Sequence, residues 1–183
     1  MNSFYNNNEL VALGLKSFGN NVLISRKSSI YSPEKISIGD NVRIDDFCIL
    51  SGQITLGSYI HISAFCALYG AFSIEMEDYT GLSPRCTVFS ASDDFSGNFL
   101  ISPMVAKEKT NVTGGKVLIK QFSQIGAHCV ILTSLTINEG VVVGAMSLVN
   151  IDLDEWGIYA GIPAKRIKDR KKELLNFIQA YEK

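Results

Sequence analysis

The chain has 183 residues, a formal net charge of −1 and a pI of about 6.1, and hydrophobic residues make up 46% of it. This length allows one domain with a substantial core, and the near-zero charge gives no electrostatic basis for binding nucleic acid or an anionic membrane. No apolar run approaches the ~20 residues that cross a bilayer, and residues 1–21 lack the basic start and apolar centre of a signal peptide, so we expect a cytoplasmic protein without a membrane span.

The first predicted element is a short helix over residues 9–13. Asn7 or Asn8 is expected to cap its N-terminus, and Gly14 is expected to end it. We assign residues 1–21 to an N-terminal cap that covers the first of the repeats described next.

An apolar residue recurs at a step of six along most of the remaining chain. The positions are Ile24, Ile30, Ile38, Ile44, Leu50, Leu56, Ile62, Leu68, Met76, Leu82, Val88, Ile119, Ile125, Ile131, Ile137, Val143 and Val149. A period of six fits neither an α-helix, with 3.6 residues per turn, nor a lone strand, with a period of two. Short fixed repeats indicate a solenoid, in which each repeat buries its apolar face against its neighbours. We place this solenoid at residues 22–166.

Three steps in the series are longer than six. They are the steps from Ile30 to Ile38, from Leu68 to Met76 and from Val88 to Ile119. If three repeats make one coil, each long step lies between the third face of one coil and the first face of the next. The inserted residues should therefore leave a triangular prism along a single edge, as two small bulges and one long loop.

The long loop, residues 90–116, exceeds the length of an ordinary connection in so regular a structure. It carries Asp93 and Asp94 near its start, and Phe95 and Phe99 are apolar anchors that argue against simple disorder. A functional loop is therefore expected. The structural alternative for the two aspartates is a turn that opens the loop.

All four cysteines lie four residues after a position of the series, where other repeats have small or apolar residues. They are Cys48, Cys66, Cys86 and Cys129. A tight inward corner suits a small apolar side chain, and a free cysteine behaves as one. No CxxC or Cys–His spacing suggests zinc, so we expect buried thiols and no metal site.

The series ends at Val149, and a different pattern follows it. Residues 156–167 read WGIYAGIPAKRI, an apolar strand that leads into A-G-x-P-A-x-x-I. Ile167, Leu174, Ile178 and Tyr181 then have the spacing of one helical face. We predict a C-terminal helix over residues 167–183 that caps the last coil, and a partner-binding helix is the alternative.

The six-residue series and the closing motif resemble those of the hexapeptide-repeat acyltransferases, from residue 22 to about residue 170. In that family the repeat reads aliphatic, small, two variable residues, small, variable, and three repeats make one coil. The resemblance implies an all-β solenoid: a left-handed parallel β-helix of hexapeptide repeats with a long loop, a short N-terminal helix and a C-terminal helix. It also implies a homotrimer, in which each active site lies between two prisms and the long loop reaches toward a neighbouring subunit.

Within the sugar O-/N-acetyltransferase branch, three segments narrow the resemblance. The loop motif Ser-Asp-Asp-Phe-Ser-Gly, the Ile-Asp-Asp-Phe-Cys segment at residues 44–48 and the Trp-Gly-Ile-Tyr ending are similar to acetyltransferases of bacterial polysaccharide clusters. Among these, the chain is similar to enzymes that acetylate dTDP-4-amino-4,6-dideoxyglucose. The resemblance implies acetyl-CoA as co-substrate, no metal, and a sugar or nucleotide-sugar acceptor.

The resemblance also implies a set of coenzyme A contacts along the late coils. The matching positions are Ala127, Ala145, Asn150, Ile151, Lys165 and Lys168. Small residues let an extended cofactor approach the backbone, and the two lysines would face its phosphates. Asn150 and Ile151 stand where the family often has threonine and lysine, so one expected cation is missing. The alternative is that the alanines are ordinary corner residues and the lysines solvated charges.

The candidate catalytic residues are Asp93, Asp94 and His61. Sugar O-acetyltransferases of this family have a histidine at the start of the long loop, and Asp93 or Asp94 stands at that position here. His128 is expected to be an exposed residue in the middle of a face. His61 lies on a different edge from the loop, but a trimer would allow it to approach the loop of the next chain, so it is our second candidate.

The missing loop histidine favours an amine acceptor over a hydroxyl. A hydroxyl needs a base at neutral pH, whereas a neutral amine is already a nucleophile that a carboxylate can orient and deprotonate. We therefore predict an acetyl-CoA-dependent acetyltransferase that modifies a nucleotide-linked amino sugar for surface polysaccharide. The alternatives are a sugar O-acetyltransferase, a non-catalytic structural solenoid, and a zinc-dependent relative of carbonic anhydrase, which two histidines on separate edges disfavour.

Overall fold

In a computed structural model, which describes residues 3–181, the repeats form a triangular prism. The strands of successive coils pair in parallel. The helices are α1 (Asn7–Ala12) and α2 (Leu175–Tyr181). The strands are β1 (Ser17–Phe18), β2 (Leu23–Ile24), β3 (Ser29–Tyr31), β4 (Ile36–Ile38), β5 (Arg43–Ile44), β6 (Ile49–Leu56), β7 (His61–Ile62), β8 (Ala67–Met76), β9 (Gly81–Leu82), β10 (Thr87–Phe89), β11 (Ala91–Ser92), β12 (Thr113–Gly114), β13 (Val117–Ile119), β14 (Gln124–Ile125), β15 (Val130–Ile131), β16 (Thr136–Ile137), β17 (Val142–Val143), β18 (Leu148–Val149), β19 (Gly157–Ala160) and β20 (Lys165–Asp169). Short 3-10 turns lie at Pro33–Lys35 and Lys107–Lys109.

The prism has three faces. Face 1 consists of β2, β5, β7, β9, β14, β17 and β19. Face 2 consists of β3, the first part of β6, the first part of β8, β10, β15 and β18. Face 3 consists of β1, β4, the last parts of β6 and β8, β13 and β16. This is the predicted parallel β-helix of hexapeptide repeats.

The register of the coils follows the six-residue series. Ile62 lies opposite Ile44 on one side and Leu82 on the other, so residues of the series three repeats apart share a face. The same holds across the long loop, where Val88 pairs with Ile131. Every residue of the series is buried except Ile30, which is half-buried and packs against the core. The prediction of three repeats per coil is confirmed.

All three insertions leave the prism where face 2 passes into face 3, which we call the loop edge. The turn Pro33–Lys35 lies there between β3 and β4, β8 bends there at residues 70–73, and residues 90–116 leave between β10 and β13. The predicted single edge is confirmed. The other border of face 2, where it meets face 1, carries the cysteines, and we call it the cysteine edge.

The cysteine edge is lined on its inner side by a column of thiols. All four are fully buried and unpaired with one another as disulfides. Each thiol donates a hydrogen bond to a carbonyl of the next coil, as from Cys66 to Ser83 (3.2 Å) and from Cys86 to Gly126 (3.0 Å). These bonds satisfy weak donors in the core, which fits the prediction of buried filler.

The thiols should resist alkylation and disulfide exchange in the folded protein. Burial raises the pKa of Cys48 to about 11, so at pH 8 its thiolate fraction is about 100-fold or more below that of an ordinary thiol. The hydrogen bond with Cys86 instead lowers the pKa of Cys66, so for Cys66 the protection comes from its complete burial. With 5,5′-dithiobis(2-nitrobenzoic acid), we expect negligible release of the coloured thiolate from native protein and release equivalent to four thiols in 6 M guanidinium. Rapid reaction of even one native thiol would contradict the buried column.

The N-terminal cap differs from its prediction by one or a few residues. The N-cap of α1 is Asn6, where Asn7 or Asn8 was predicted, because Asn6 and Glu9 exchange side-chain bonds with each other's backbone N–H groups. The carboxylate of Glu9 also pairs with Arg26 of the first coil. Strand β1 already pairs with β4, so the prism begins before residue 22.

The C-terminal boundary also differs from its prediction. The C-terminal helix was predicted to begin at residue 167, but this residue lies in β20, which pairs antiparallel with β19. The helix α2 begins only at Leu175. Ile167 is therefore 62% exposed and is not part of a buried helical stripe. Arg170 fastens this segment to the prism: its guanidinium donates to the carbonyls of Phe122 (2.6 Å) and Gly140 (3.0 Å). No helix among residues 3–181 has the length and apolar character needed to cross a membrane.

Candidate active site

The long loop is tied at its base to the outer surface of face 2. Strands β11 and β12 pair antiparallel and bring its two ends together. The carbonyl of Ser90 accepts hydrogen bonds from the Thr133 hydroxyl (2.7 Å) and the Gly115 N–H (3.1 Å). These contacts fix the first residues of the loop above the neighbouring strands.

A cavity of about 510 Å³ lies between the loop and face 2. Its floor is made by residues from three adjacent coils of face 2, Tyr69 of β8, Phe89 of β10 and Leu132 directly after β15, and the rings of Tyr69 and Phe89 stack with centroids 5.3 Å apart. Phe95 and Val112 of the loop contribute further apolar surface. A largely apolar cavity with a few polar groups is the usual form of a small-molecule site.

The two loop aspartates have different surroundings. Asp93 lines the cavity, and within residues 3–181 its carboxylate has no hydrogen-bond or ion-pair partner. Asp94 instead accepts from the Ser96 N–H (2.6 Å) and, more weakly, from the Asn111 amide (3.4 Å). The hydrogen bonds from Ser96 and Asn111 lower the pKa of Asp94. The structure therefore gives Asp94 the turn-forming role and leaves the carboxylate of Asp93 available.

His61 is separated from this cavity within one chain. It lies on face 1, and its Nε2 is 2.8 Å from Oδ2 of Asp45, whose Oδ1 is 2.7 Å from Nε of Arg43. Burial acts to raise the pKa of Asp45, but the hydrogen bonds from His61 and Arg43 outweigh it and lower that pKa. The second histidine, His128, occupies a corner with φ of +60° and not the middle of a face, as was predicted.

The six positions implied for coenzyme A fall into two groups. Ala127 and Ala145 occupy consecutive coils of the cysteine edge, where Met146 N donates to Ala127 O (2.8 Å). Lys165 pairs with Ala160 of the last coil, and Lys168 lies three residues further along the same exposed strand. The exposed pair Asn150 and Ile151 follows β18 and lies toward the loop edge. In one chain Asn150 and Ile151 therefore form one group, on the opposite border of face 2 from Ala127 and Ala145. The two lysines belong with the alanines, because their strand pairs with the last strand of face 1.

Two residues of the cysteine edge were not singled out from the sequence. Ser83 follows the buried Leu82 and is half-buried at the corner, and Arg85, two residues later, places its guanidinium 5.2 Å from the ring centroid of Phe65. Both lie one coil before Ala127. Within residues 3–181, no group of three or more His, Cys, Asp or Glu side chains is arranged to hold a metal ion.

Comparison with known proteins identifies the family. No protein-family model matches the chain. A curated relative from Escherichia coli, described as dTDP-4-amino-4,6-dideoxy-D-glucose acyltransferase, is 37% identical over 177 residues, which is 95% of this chain and 92% of the relative. The chain belongs to this acyltransferase family. The predicted family and the predicted enzyme class are both confirmed.

Solved structures similar to this acyltransferase agree with the family assignment. One of them is a serine variant of AntD, an N-acyltransferase from Bacillus cereus, bound to dTDP-4-amino-4,6-dideoxyglucose and coenzyme A. It is 51% identical to this chain, with a TM-score of 0.97 over 100% of this chain and 98% of AntD. Another AntD structure, with dTDP and 3-hydroxybutyryl-CoA, is 52% identical with a TM-score of 0.96 over 100% and 97%. A hexapeptide-repeat acetyltransferase from Vibrio cholerae, at 20% identity and a TM-score of 0.63 over 91% and 79%, shares the fold.

Proposed function

We propose that this acyltransferase transfers a short acyl group from coenzyme A to the 4-amino group of dTDP-4-amino-4,6-dideoxyglucose. The observation that carries the proposal is the unpaired carboxylate of Asp93 at an apolar cavity, in a loop that has no histidine. A carboxylate there suits an amine, and apolar walls suit a deoxy sugar. The E. coli relative is described as acting on this sugar, and AntD is an N-acyltransferase solved with it.

The chemistry assigned to Asp93 is acceptance of a proton. The amine nitrogen bonds to the thioester carbonyl carbon, and the carbon–sulfur bond then breaks. Asp93 orients the amine and takes the proton that the nitrogen loses, while the departing thiolate of coenzyme A ends as a thiol. The net reaction moves the acyl group from sulfur to nitrogen and one proton from nitrogen to sulfur. Asp93 is exposed in a single chain, so water would be excluded, and the interaction between carboxylate and amine strengthened, only where a neighbouring copy covers the loop.

The donor is assigned to the cysteine edge. At Gly126-Ala127 and Gly144-Ala145 no side chain is larger than a methyl group, so an extended pantetheine chain can lie against the backbone. Lys165 and Lys168, on the exposed strand that follows the last coil, would face the phosphates of coenzyme A. The acyl group is acetyl or a slightly longer chain, since one AntD complex contains 3-hydroxybutyryl-CoA.

The two halves of this site lie on opposite edges of face 2, which favours assembly from two copies. AntD variants alter one serine and one aspartate ten residues apart, and Ser83 and Asp93 have the same spacing in this chain. Ser83 is on the cysteine edge and Asp93 on the loop edge. We therefore assign Ser83 of one copy and Asp93 of the next to one site in a homotrimer, with Asn150 and Ile151 on the same loop edge as Asp93, two coils further along. Phe95 and Met104 are 82% and 92% exposed in the loop, and a neighbouring copy would cover them.

A cytoplasmic step in the synthesis of surface polysaccharide fits these substrates. A sugar linked to dTDP is an activated monosaccharide, which a glycosyltransferase must subsequently consume. Four thiols without a disulfide also fit a reducing compartment. We propose this location and role on those two grounds.

A hydroxyl acceptor is the second candidate, favoured by the pairing of His61 with Asp45. A histidine oriented by a carboxylate is a suitable base for an alcohol. If a neighbouring copy brought His61 to the loop, O-acylation would have the base that Asp93 does not readily supply.

A thiol-release assay distinguishes the two acceptors. Acetyl-CoA and 3-hydroxybutyryl-CoA are each offered with dTDP-4-amino-4,6-dideoxyglucose or with dTDP-glucose, and the product is identified by mass. We expect release that depends on the amino sugar, with a product heavier by one acyl group. Release only with dTDP-glucose would replace the proposal by O-acylation and make His61 the first residue to substitute.

A further inference from the structure

An aromatic column with a cation at each end lies on the outer side of the cysteine edge. The rings of Phe47 and Phe65 stack at 4.9 Å with an interplanar angle of 22°, and each side chain is 50% exposed. The ammonium of Lys27 is 5.4 Å from the Phe47 centroid, and the guanidinium of Arg85 is 5.2 Å from the Phe65 centroid. The column therefore holds two cations in defined positions at the surface.

The two cations differ in what they bind. Lys27 is 2.8 Å from a carboxylate oxygen of Asp46 and is thereby neutralised. Arg85 is exposed and, within residues 3–181, has no ion pair and no side-chain hydrogen bond, so all its donors are available. A guanidinium positioned on an aromatic ring presents a planar fork that matches phosphate oxygens. Arg85 is therefore the cation of this column that can receive an anion.

The position of Arg85 suits the acceptor better than the donor. It lies two residues after Ser83 and one coil before Ala127, at the end of the proposed donor path farthest from Lys165. The phosphates of coenzyme A are assigned to the opposite end of that path. A second diphosphate, the one that carries the sugar, must also be held near the reacting groups.

We propose that Arg85 binds the diphosphate of the nucleotide-linked acceptor, with the Phe47–Phe65 stack as its support. The assignment rests on the proposed function, because it requires an acceptor that carries a diphosphate. The donor enters along the C-terminal coils of the edge, and the acceptor lies along the N-terminal coils. Ser83 is between them.

The test compares Arg85→Gln and Arg85→Lys with Lys27→Gln, a matched control that removes one cation from the same column. Affinities of the full-length protein for dTDP and for coenzyme A are measured separately by calorimetry, together with KM for the amino sugar and for the acyl-CoA. We expect Arg85→Gln to weaken dTDP binding and raise the KM for the amino sugar by about 10- to 100-fold, the range for a lost charge-assisted hydrogen bond. Arg85→Lys should recover part of this loss, and coenzyme A affinity should be unchanged.

Three results would overturn the assignment of Arg85. They are unchanged dTDP affinity in Arg85→Gln, a loss of coenzyme A affinity in place of dTDP affinity, and an equal loss of dTDP affinity in Lys27→Gln. A fault in folding or assembly would instead lower the affinities for dTDP and for coenzyme A together. That result would also count against the proposal if Arg85→Lys did not restore dTDP binding. Failure of the proposed function is recognised separately, because wild-type protein would then not acylate the amino sugar, whatever its affinity for dTDP.

Discussion

Replacing Asp93 by asparagine is expected to lower kcat for acyl transfer to the amino sugar by about 100-fold, the lower end of what a positioned general base contributes. Asparagine keeps the size of the side chain and can still accept a hydrogen bond from the amine, but it cannot take the proton. The KM for acyl-CoA should change little, because the cysteine edge is untouched. Steady-state kinetics of thiol release measures both quantities.

Asp94→Asn is the matched control for this prediction. The carboxylate of Asp94 accepts the Ser96 N–H, and an asparagine amide oxygen can accept the same bond, so the loop turn is retained. We expect kcat within a few-fold of wild type. If Asp94→Asn lost activity and Asp93→Asn did not, the roles of the two aspartates would be exchanged.

Asp93→Ala separates orientation of the amine from acceptance of its proton. If alanine is much worse than asparagine, the hydrogen bond that orients the amine contributes in addition to the proton transfer. If both variants retain wild-type kcat and His61→Ala does not, the base is His61 supplied by a neighbouring copy, and the acceptor assignment must be reconsidered.

The prism was predictable because its register is set by side-chain spacing alone. In a coil whose corners recur every six residues, a residue of the series such as Ile62 must point inward. The positions of the three long steps in the series then identify the loop edge. The ends were less predictable. Ile167 stands at helical spacing from Leu174 and Ile178, yet residues 165–169 pair with β19. The unpaired edge of β19 becomes apparent only once the last coil has been built.

The site was only partly predictable, for a related reason. Asp93 and Asp94 stood out together because they lie in an insertion, where the six-residue pattern imposes no residue type, and only the hydrogen bonds of Asp94 separate the two. Ser83 and Arg85 lie in a corner whose equivalent positions in other coils vary from Phe65 to His128 and Met146, and spacing does not distinguish a functional corner from a structural one. The repeat register assigns the candidate residues to two edges, but which edges meet in one site depends on how copies of the chain assemble and is not contained in that register.

Ile131→Asp is expected to destabilise the protein by about 4 kcal/mol or more. Ile131 is fully buried and lies between Val88 and Val149 in adjacent coils of face 2. No Lys, Arg or His is buried in the core among the residues whose burial is described, 3–178. The protein must therefore bury the charge of the aspartate, or protonate the carboxyl and leave it poorly hydrogen-bonded, and it also loses the packing of the isoleucine. Urea denaturation followed by circular dichroism measures the difference in free energy of unfolding.

The neighbouring substitution Val130→Asp tests the register itself. In β15 the side chains alternate between core and surface, so Val130 faces outward and is only half-buried. We expect this variant to lose much less stability than Ile131→Asp, and Ile131→Val to lose about 0.5–1.5 kcal/mol. A shift of the register by one residue would exchange the inward and outward positions. Greater damage from Val130→Asp than from Ile131→Asp would therefore show that the six-residue series does not point into the prism.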